Sequence, residues 1–182
     1  MEQPKNNLKI IADKKNARMI LPNMLTLIGV CIGLTSIRFA LEGKFEFAII
    51  AVILAALIDG LDGRIARLIK GTSKVGKELD SLTDMISFGV APAFIMYFWK
   101  LNTLGRFGWL VCLIYVICVA LRLARFNVNS NQEASWRDNF FEGVPSPAGG
   151  ILVLTPLIMS LTDFDYIQLD YNIIVPIFFI TT

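Results

Sequence analysis

Asp59-Gly60-Leu61-Asp62-Gly63-Arg64-Ile65-Ala66-Arg67, followed by Gly76, Asp80 and Asp84, is the stretch on which the reading of this chain turns. Its spacing is D-x2-D-G-x2-A-R-x8-G-x3-D-x3-D, with eight fixed positions over 26 residues. Apolar runs flank it on both sides. Ionisable groups set among apolar spans are expensive there and mark a functional site by default.

The flanking runs fix the depth of those groups. Phe47 to Ile58 is 12 residues, about 18 Å of helix, against a hydrocarbon core of about 30 Å. Met85 to Trp99 is 15 residues and is also too short. Each helix (45–70 and 78–99) spans a membrane only by including its acidic end. Both carboxylate pairs are therefore expected just inside the membrane, near one face and at matching depth.

On a helix Asp59, Asp62, Gly63 and Ala66 fall within an arc of about 100°, with Arg67 at its edge. Asp80 and Asp84, four residues apart, share a face of the next helix, with Ser87 nearby. The connection, read as residues 68–77 with Gly71 and Gly76, is short enough to lay the two helices side by side. Four carboxylates then converge. Bare, they would repel one another; divalent cations remove the repulsion, and a two-metal site can clamp a phosphoryl group. Gly63 and Ala66 leave room for a bulky ligand, and Arg67 can pair with a phosphate. The plainer alternative is a buried ion-pair network of Arg64 or Arg67 with the aspartates, which this spacing fits poorly. Another is a membrane carrier that binds a cation at the carboxylates, which leaves Gly76, Arg67 and the x8 spacing without a purpose.

Composition agrees with a membrane. The chain has 182 residues, 55% of them hydrophobic, where soluble domains are about 45–50% apolar. Its mean hydropathy is +0.61. It has no histidine, so imidazole catalysis and histidine metal sites are excluded. Acid–base work falls to carboxylates, and any metal would have oxygen ligands, as Mg²⁺, Mn²⁺ or Ca²⁺ prefer. Cys31, Cys112 and Cys118 lie in apolar runs without metal-like spacing and read as small core- or lipid-facing residues. A net charge of +2 gives no reason to expect a nucleic-acid partner.

Residues 1–18 carry Lys5, Lys9, Lys14, Lys15 and Arg18 among Leu8, Ile10 and Ile11. They form a juxtamembrane segment, read either as a helix on the membrane surface or as a solvated tail. The membrane domain is 19–182. No cleaved signal peptide is expected, because the apolar run after residue 18 is too long for one. The first span is 19–41, in which Gly29 and Gly33 permit close helix approach, within the chain or between copies. A fourth span covers 105–128 and ends on Arg122 and Arg125. A polar loop (129–145) follows, and the fifth span, 148–161, carries a kink at Pro156. Residues 171–182 start a sixth element too short to cross. The fold class is thus all-α, a polytopic bundle of about six transmembrane helices with the last incomplete. With the N-terminus inside, 13 of the 17 Lys and Arg lie on the inner side, so the motif faces the cytosol. Tyr97, Trp99 and Trp109 then flank an outer loop as an aromatic belt.

The filled motif resembles the signature of the CDP-alcohol phosphotransferases, integral membrane enzymes that make phospholipid head-group linkages. The resemblance implies a six-helix bundle, usually a homodimer, open to the cytosolic leaflet of the inner (cytoplasmic) membrane. It implies that Asp59, Asp62, Asp80 and Asp84 bind divalent metal, Mg²⁺ or Mn²⁺, two per site. It also implies that Asp84 is the general base, and that Gly63, Ala66, Arg67 and Gly76 contact the CDP moiety. Ser87-Phe88-Gly89-Val90-Ala91-Pro92-Ala93, Arg122-Leu123-Ala124-Arg125-Phe126-Asn127 and Phe141-Glu142-Gly143-Val144-Pro145-Ser146-Pro147-Ala148 look like the phosphatidylserine-forming branch. That resemblance covers about 20–160. It implies transfer of a phosphatidyl group from CDP-diacylglycerol to L-serine, giving phosphatidylserine and CMP. Glycerol 3-phosphate, an inositol phosphate or choline are the rival acceptors. Arg122, Arg125 and Asn127 are candidate acceptor-binding residues, the arginines either for the serine carboxylate or for lipid phosphate. Residues 141–147 line the acceptor pocket or only lead into a helix.

Overall fold

A computed structural model of the chain describes residues 4–69, 74–129, 144–162, 174–176 and 179. Every described element is helical. In chain order they are α1 (Pro4–Leu41), α2 (Phe45–Ile69), α3 (Lys74–Asp84), a π-helical segment (Met85–Val90), α4 (Ala91–Trp99), a 3₁₀ turn (Leu101–Leu104), α5 (Arg106–Asn129) and α6 (Ser146–Leu161). Among the described residues three stretches are long and apolar enough to cross a membrane: Asn23–Leu41, Val75–Trp99 and Arg106–Val128. The chain is an integral membrane protein with an all-α bundle.

Three elements differ from the sequence reading. The charged N-terminal segment is helical from Pro4 and continuous with the first span: α1 runs unbroken for 38 residues, about 57 Å, so it extends well beyond the hydrocarbon. The connection between the acidic helices is shorter than 68–77. Helix α2 continues to Ile69 and α3 starts at Lys74, which puts Gly76 inside a helix; Gly71 lies outside the described residues. The third span is one continuous rod of three pieces, α3, the π segment and α4, with its irregular turn directly after Asp84. Most of the loop 129–145 and of the sixth element also lie outside the described residues. Helical residues 174–176 and 179 bring buried Val175 and Phe179 to the core.

Lipid tails are as apolar as leucine, so burial alone does not hold membrane helices together; close packing over small residues does. α1 and α2 form the most extensive pair, closed by a tight turn in which Gly43 takes a φ of 75°. In that turn Glu42 accepts from Arg38 (3.1 Å) and from Lys44 (2.9 Å). The Lys44 hydrogen bond and charge hold the Glu42 carboxyl below its ordinary range, with Arg38 adding to the effect. At the same end Tyr97 and Phe94 pack edge-on to Trp109, with ring centroids 5.4 and 5.8 Å away.

The π segment and α4 form the centre of the bundle. Ser87, Phe88, Gly89, Ala91, Pro92, Ala93, Ile95 and Met96 are all buried. Their neighbours come from three other helices, each arriving through a small residue or a small contact. A Cβ at Gly150 of α6 would stand 3.1 Å from the Phe88 backbone. One at Gly89 would meet Val119 of α5 at 3.2 Å, and one at Gly33 of α1 would meet Ser87 at 2.5 Å. By contrast Leu110, Leu113, Ile114, Ile117 and Leu121 of α5 are exposed, a face that suits lipid.

Candidate functional site

α2 and α3 bring the four motif aspartates to one end of the bundle. Asp62 is buried at 5% exposure; Asp59 and Asp84 are half-buried and Asp80 is exposed. The Asp59 carboxyl of α2 and the Asp84 carboxyl of α3 interact directly. Asp80 lies within electrostatic reach of both Asp59 and Asp62. The aspartates thus come to one end of the bundle, but not by the side-by-side packing expected of α2 and α3: each of the two helices packs on α1. Gly63 and Gly76 sit half-buried on α2 and α3. Ala66 and Arg67 are on α2, but their side chains lie outside the described set.

Two atoms define what the site lacks. Asp62 Oδ1 and Asp84 Oδ1 are buried and have no hydrogen-bond partner among the described residues. Leaving a buried carboxylate oxygen unpartnered costs more than a neutral group would, on the order of 1–3 kcal/mol or above. Among the described residues the ion pairs are those of Glu42, far from the motif, so Arg64 does not neutralise the cluster. Hard divalent cations suit this donor set: all oxygen, several negative charges, two lone oxygens facing inward. Among the described residues no three acidic, cysteine or histidine side chains are drawn into a ready ligand shell. A cation would have to pull the side chains a short way together.

Several residues around the aspartates carry no motif signal. Thr26 of α1, buried at 5%, donates its hydroxyl to Asp62 Oδ2. This fixes one oxygen of the carboxylate and leaves the other free. The Ser146 hydroxyl, in the first turn of α6, is directed at Asp84. Ser87 donates to the Gly29 carbonyl at 3.4 Å, and Tyr115 donates to the Phe88 carbonyl at 2.9 Å. No sequence pattern marks these partners, because each bond joins residues from separate helices. Ser87 and Ser146 fall within the segments 87–93 and 141–148 that resemble the family, but nothing in those segments tells what the two hydroxyls touch; 141–143 lie outside the described residues.

The candidate acceptor residues separate. Asn127 donates to Ser81 Oγ at 3.0 Å, tying α5 to α3 one residue past Asp80. Tyr115 meets Phe88 and Asn127 meets Ser81, so Arg122, between them on α5, is level with residues 81–88 and hence with Asp84. Arg122 is half-buried and Arg125 exposed. At 100° per residue Arg122 lies within about 20° of Tyr115, on the face that packs on the π segment, and Arg125 about 80° from Tyr115. A groove of about 290 Å³ between α3 and α5 is lined by Glu78, Ser81, Leu82, Met85, Leu123 and Asn127, among others. It lies on the flank of α3 away from Asp80 and Asp84.

The sequence profile described as CDP-alcohol phosphatidyltransferase matches residues 19–180. Relatives named CDP-diacylglycerol–serine O-phosphatidyltransferase are similar to this chain. That of Mycobacterium leprae (strain TN) is 46% identical over 144 residues, which are 78% of this chain and 48% of the relative. That of Helicobacter pylori (strain ATCC 700392 / 26695) is 41% identical over 145 residues, 80% and 60% of the two chains. That of Bacillus subtilis (strain 168) is 34% identical over 142 residues, 78% and 76%. The chain spans about half the length of the mycobacterial relatives.

Proposed function

The chain belongs to the CDP-alcohol phosphatidyltransferase family, and on that premise we propose that it transfers a phosphatidyl group from CDP-diacylglycerol to L-serine. The observation that carries the reading is the pair of buried, unpartnered oxygens on Asp62 and Asp84, within a group of four carboxylates on α2 and α3 at one end of the bundle. Such a cluster is made for cations and polyphosphate rather than for helix packing. Serine as acceptor is supported by the names of the relatives, 34–46% identical, and by an arginine level with Asp84.

In this reaction the serine hydroxyl oxygen attacks the phosphorus that carries the diacylglycerol. The new P–O bond forms, the bond to the CMP oxygen breaks, and the hydroxyl proton passes to Asp84. CMP leaves and phosphatidylserine stays in the membrane. Asp59, Asp62, Asp80 and Asp84 would hold one or two Mg²⁺ or Mn²⁺ ions, which supply charge stabilisation at the pyrophosphate when bound. Thr26 holds Asp62 in orientation. Gly63, Ala66, Arg67 and Gly76 receive the CDP moiety. Arg122 and Arg125 take the serine carboxylate. Asn127 keeps the end of α5 against α3, so that the acceptor arginines keep their level. The site faces the cytosol across the inner membrane, in keeping with the 13 to 4 bias of Lys and Arg. The protein acts as a homodimer, as the family resemblance implies.

The test is CMP release from CDP-diacylglycerol by the purified protein in nanodiscs, with Mg²⁺ or Mn²⁺ and one alcohol at a time. Serine-dependent release is expected. Release with glycerol 3-phosphate, an inositol phosphate or choline but not with serine refutes the acceptor. Asp84→Asn should lower the rate by at least about 10², the usual share of a general base. An undiminished rate refutes that role.

A further inference from the structure

The π segment lies directly against the proposed base, and its backbone carries a defect that the sequence itself creates. Met85–Val90 closes its bonds five residues apart, as where the Ala91 N–H meets the Ile86 carbonyl. Each such turn takes in one residue more than an α turn, so the face that precedes it is offset from the face that follows. Asp80 and Asp84 can then face α2 while Ile95 and Met96 of the same rod face the core. Single π turns of this kind recur at functional sites. At the far side stands Pro92, which has no N–H. The carbonyl four residues before it belongs to Phe88 and therefore loses its α-helical donor. Phe88 is 1% exposed, so water does not replace that donor. A buried carbonyl in apolar surroundings needs a partner.

Tyr115 supplies one. Its hydroxyl donates to the Phe88 carbonyl at 2.9 Å across 27 residues of sequence. Its ring is 6% exposed and packs against Phe179 at 5.2 Å between centroids, which leaves it little freedom to point elsewhere. We infer that Tyr115 is a positioning residue for Asp84: its bond to the Phe88 carbonyl holds the π turn, and the π turn sets the rotation of α3 that aims Asp84 at the reacting hydroxyl. Tyr115 touches neither substrate nor metal. The effect on rate rests on the proposed transfer reaction; the effect on the π turn does not.

The chemistry of proline allows a direct test. Tyr115→Phe removes one hydroxyl. The kcat for CMP release is expected to fall about tenfold, equal to the ~1.4 kcal/mol of one hydrogen bond, while KM for CDP-diacylglycerol stays within about twofold. Pro92→Ala in the Tyr115→Phe background gives Phe88 a backbone donor again and should recover kcat to within about threefold. A merely structural tyrosine would lower the amount of folded protein and would not be rescued by a new backbone N–H. Unchanged kcat in Tyr115→Phe overturns the inference, as does a loss that Pro92→Ala fails to repair in protein of wild-type thermal midpoint. Hydrogen exchange of the amides of residues 85–93 separates this inference from the reaction. Exchange should quicken in Tyr115→Phe and slow again in the double variant, and unchanged exchange overturns the inference. If the wild-type protein releases no CMP with any alcohol, the proposed reaction falls and the exchange result alone judges Tyr115.

Discussion

Gly33 is where the packing between α1 and the segment behind Asp84 can be tested most sharply. A Cβ at this position would stand 2.5 Å from Ser87 Oγ, 3.0 Å from Ser87 Cβ and 3.1 Å from Ser87 Cα. Ser87 is fully buried. A rotamer change removes only the first of these contacts; the others require the two helices to part. Overpacking of this kind costs about 1–3 kcal/mol, offset by the ~0.5–1 kcal/mol gained when alanine replaces a helical glycine. Gly33→Ala should therefore destabilise by a net of up to ~2.5 kcal/mol, a drop of up to roughly 10 °C in thermal midpoint. The midpoint is read from tryptophan fluorescence in detergent micelles. The same substitution is then made in Ser87→Ala, which removes the oxygen, and in Ser87→Gly, which also removes the Cβ. Each double variant is compared with its own Ser87 single variant, so the cost of the serine change cancels. The penalty of Gly33→Ala should shrink in the order Ser, Ala, Gly. Gly60→Ala, with nothing within 4 Å of its Cβ, is the control and should be neutral or stabilising. An equal penalty in all three backgrounds, or a penalty at Gly60 as large as at Gly33, refutes the close approach of α1 to the π segment.

Thr26→Val removes the hydroxyl that Asp62 Oδ2 accepts. The loss of one hydrogen bond to a charged group, about 1.5–3 kcal/mol, should weaken Mn²⁺ binding by ten- to a hundredfold in paramagnetic resonance titration, and Thr26→Ser should retain it. Asn127→Ala cuts the tie to Ser81 and should lower kcat/KM about tenfold, with the same factor for every alcohol that reacts. A loss confined to serine would instead make Asn127 a direct acceptor ligand. Chelation by EDTA should abolish CMP release, and Mg²⁺ or Mn²⁺ should restore it; activity that survives exhaustive chelation removes the metal from the reading.

The gathering of the four carboxylates at one end of the bundle was legible in the sequence because two facts about short range force it. Helical period puts Asp59 with Asp62 and Asp80 with Asp84, and the shortness of the flanking apolar runs sets their depth. The level of Arg122 was legible for the same reason: an apolar run of known length ends on it. The hydrogen bonds of Thr26, Ser87 and Tyr115 were not legible. A threonine, a serine or a tyrosine in an apolar helix reads as an ordinary packed residue until the facing helix is known. Asn127 stands about 140° from Arg122 on a helix of 3.6 residues per turn, on the side where it meets Ser81 of α3.

What the sequence by itself determined is the set of charges, their spacing along each helix and the length of apolar chain around them, and so a membrane bundle with four carboxylates at one end. These are properties of single helices, set by period and rise. The tertiary structure decided which oxygens of those carboxylates are held and which are left open. Thr26 reaches Asp62 across 36 residues and Tyr115 reaches Phe88 across 27. It also decided that the Phe88 carbonyl, deprived of its α-helical donor by Pro92, finds one in Tyr115. Contacts between distant helices depend on crossing angle and axial rotation, and neither is encoded in the period of any one helix.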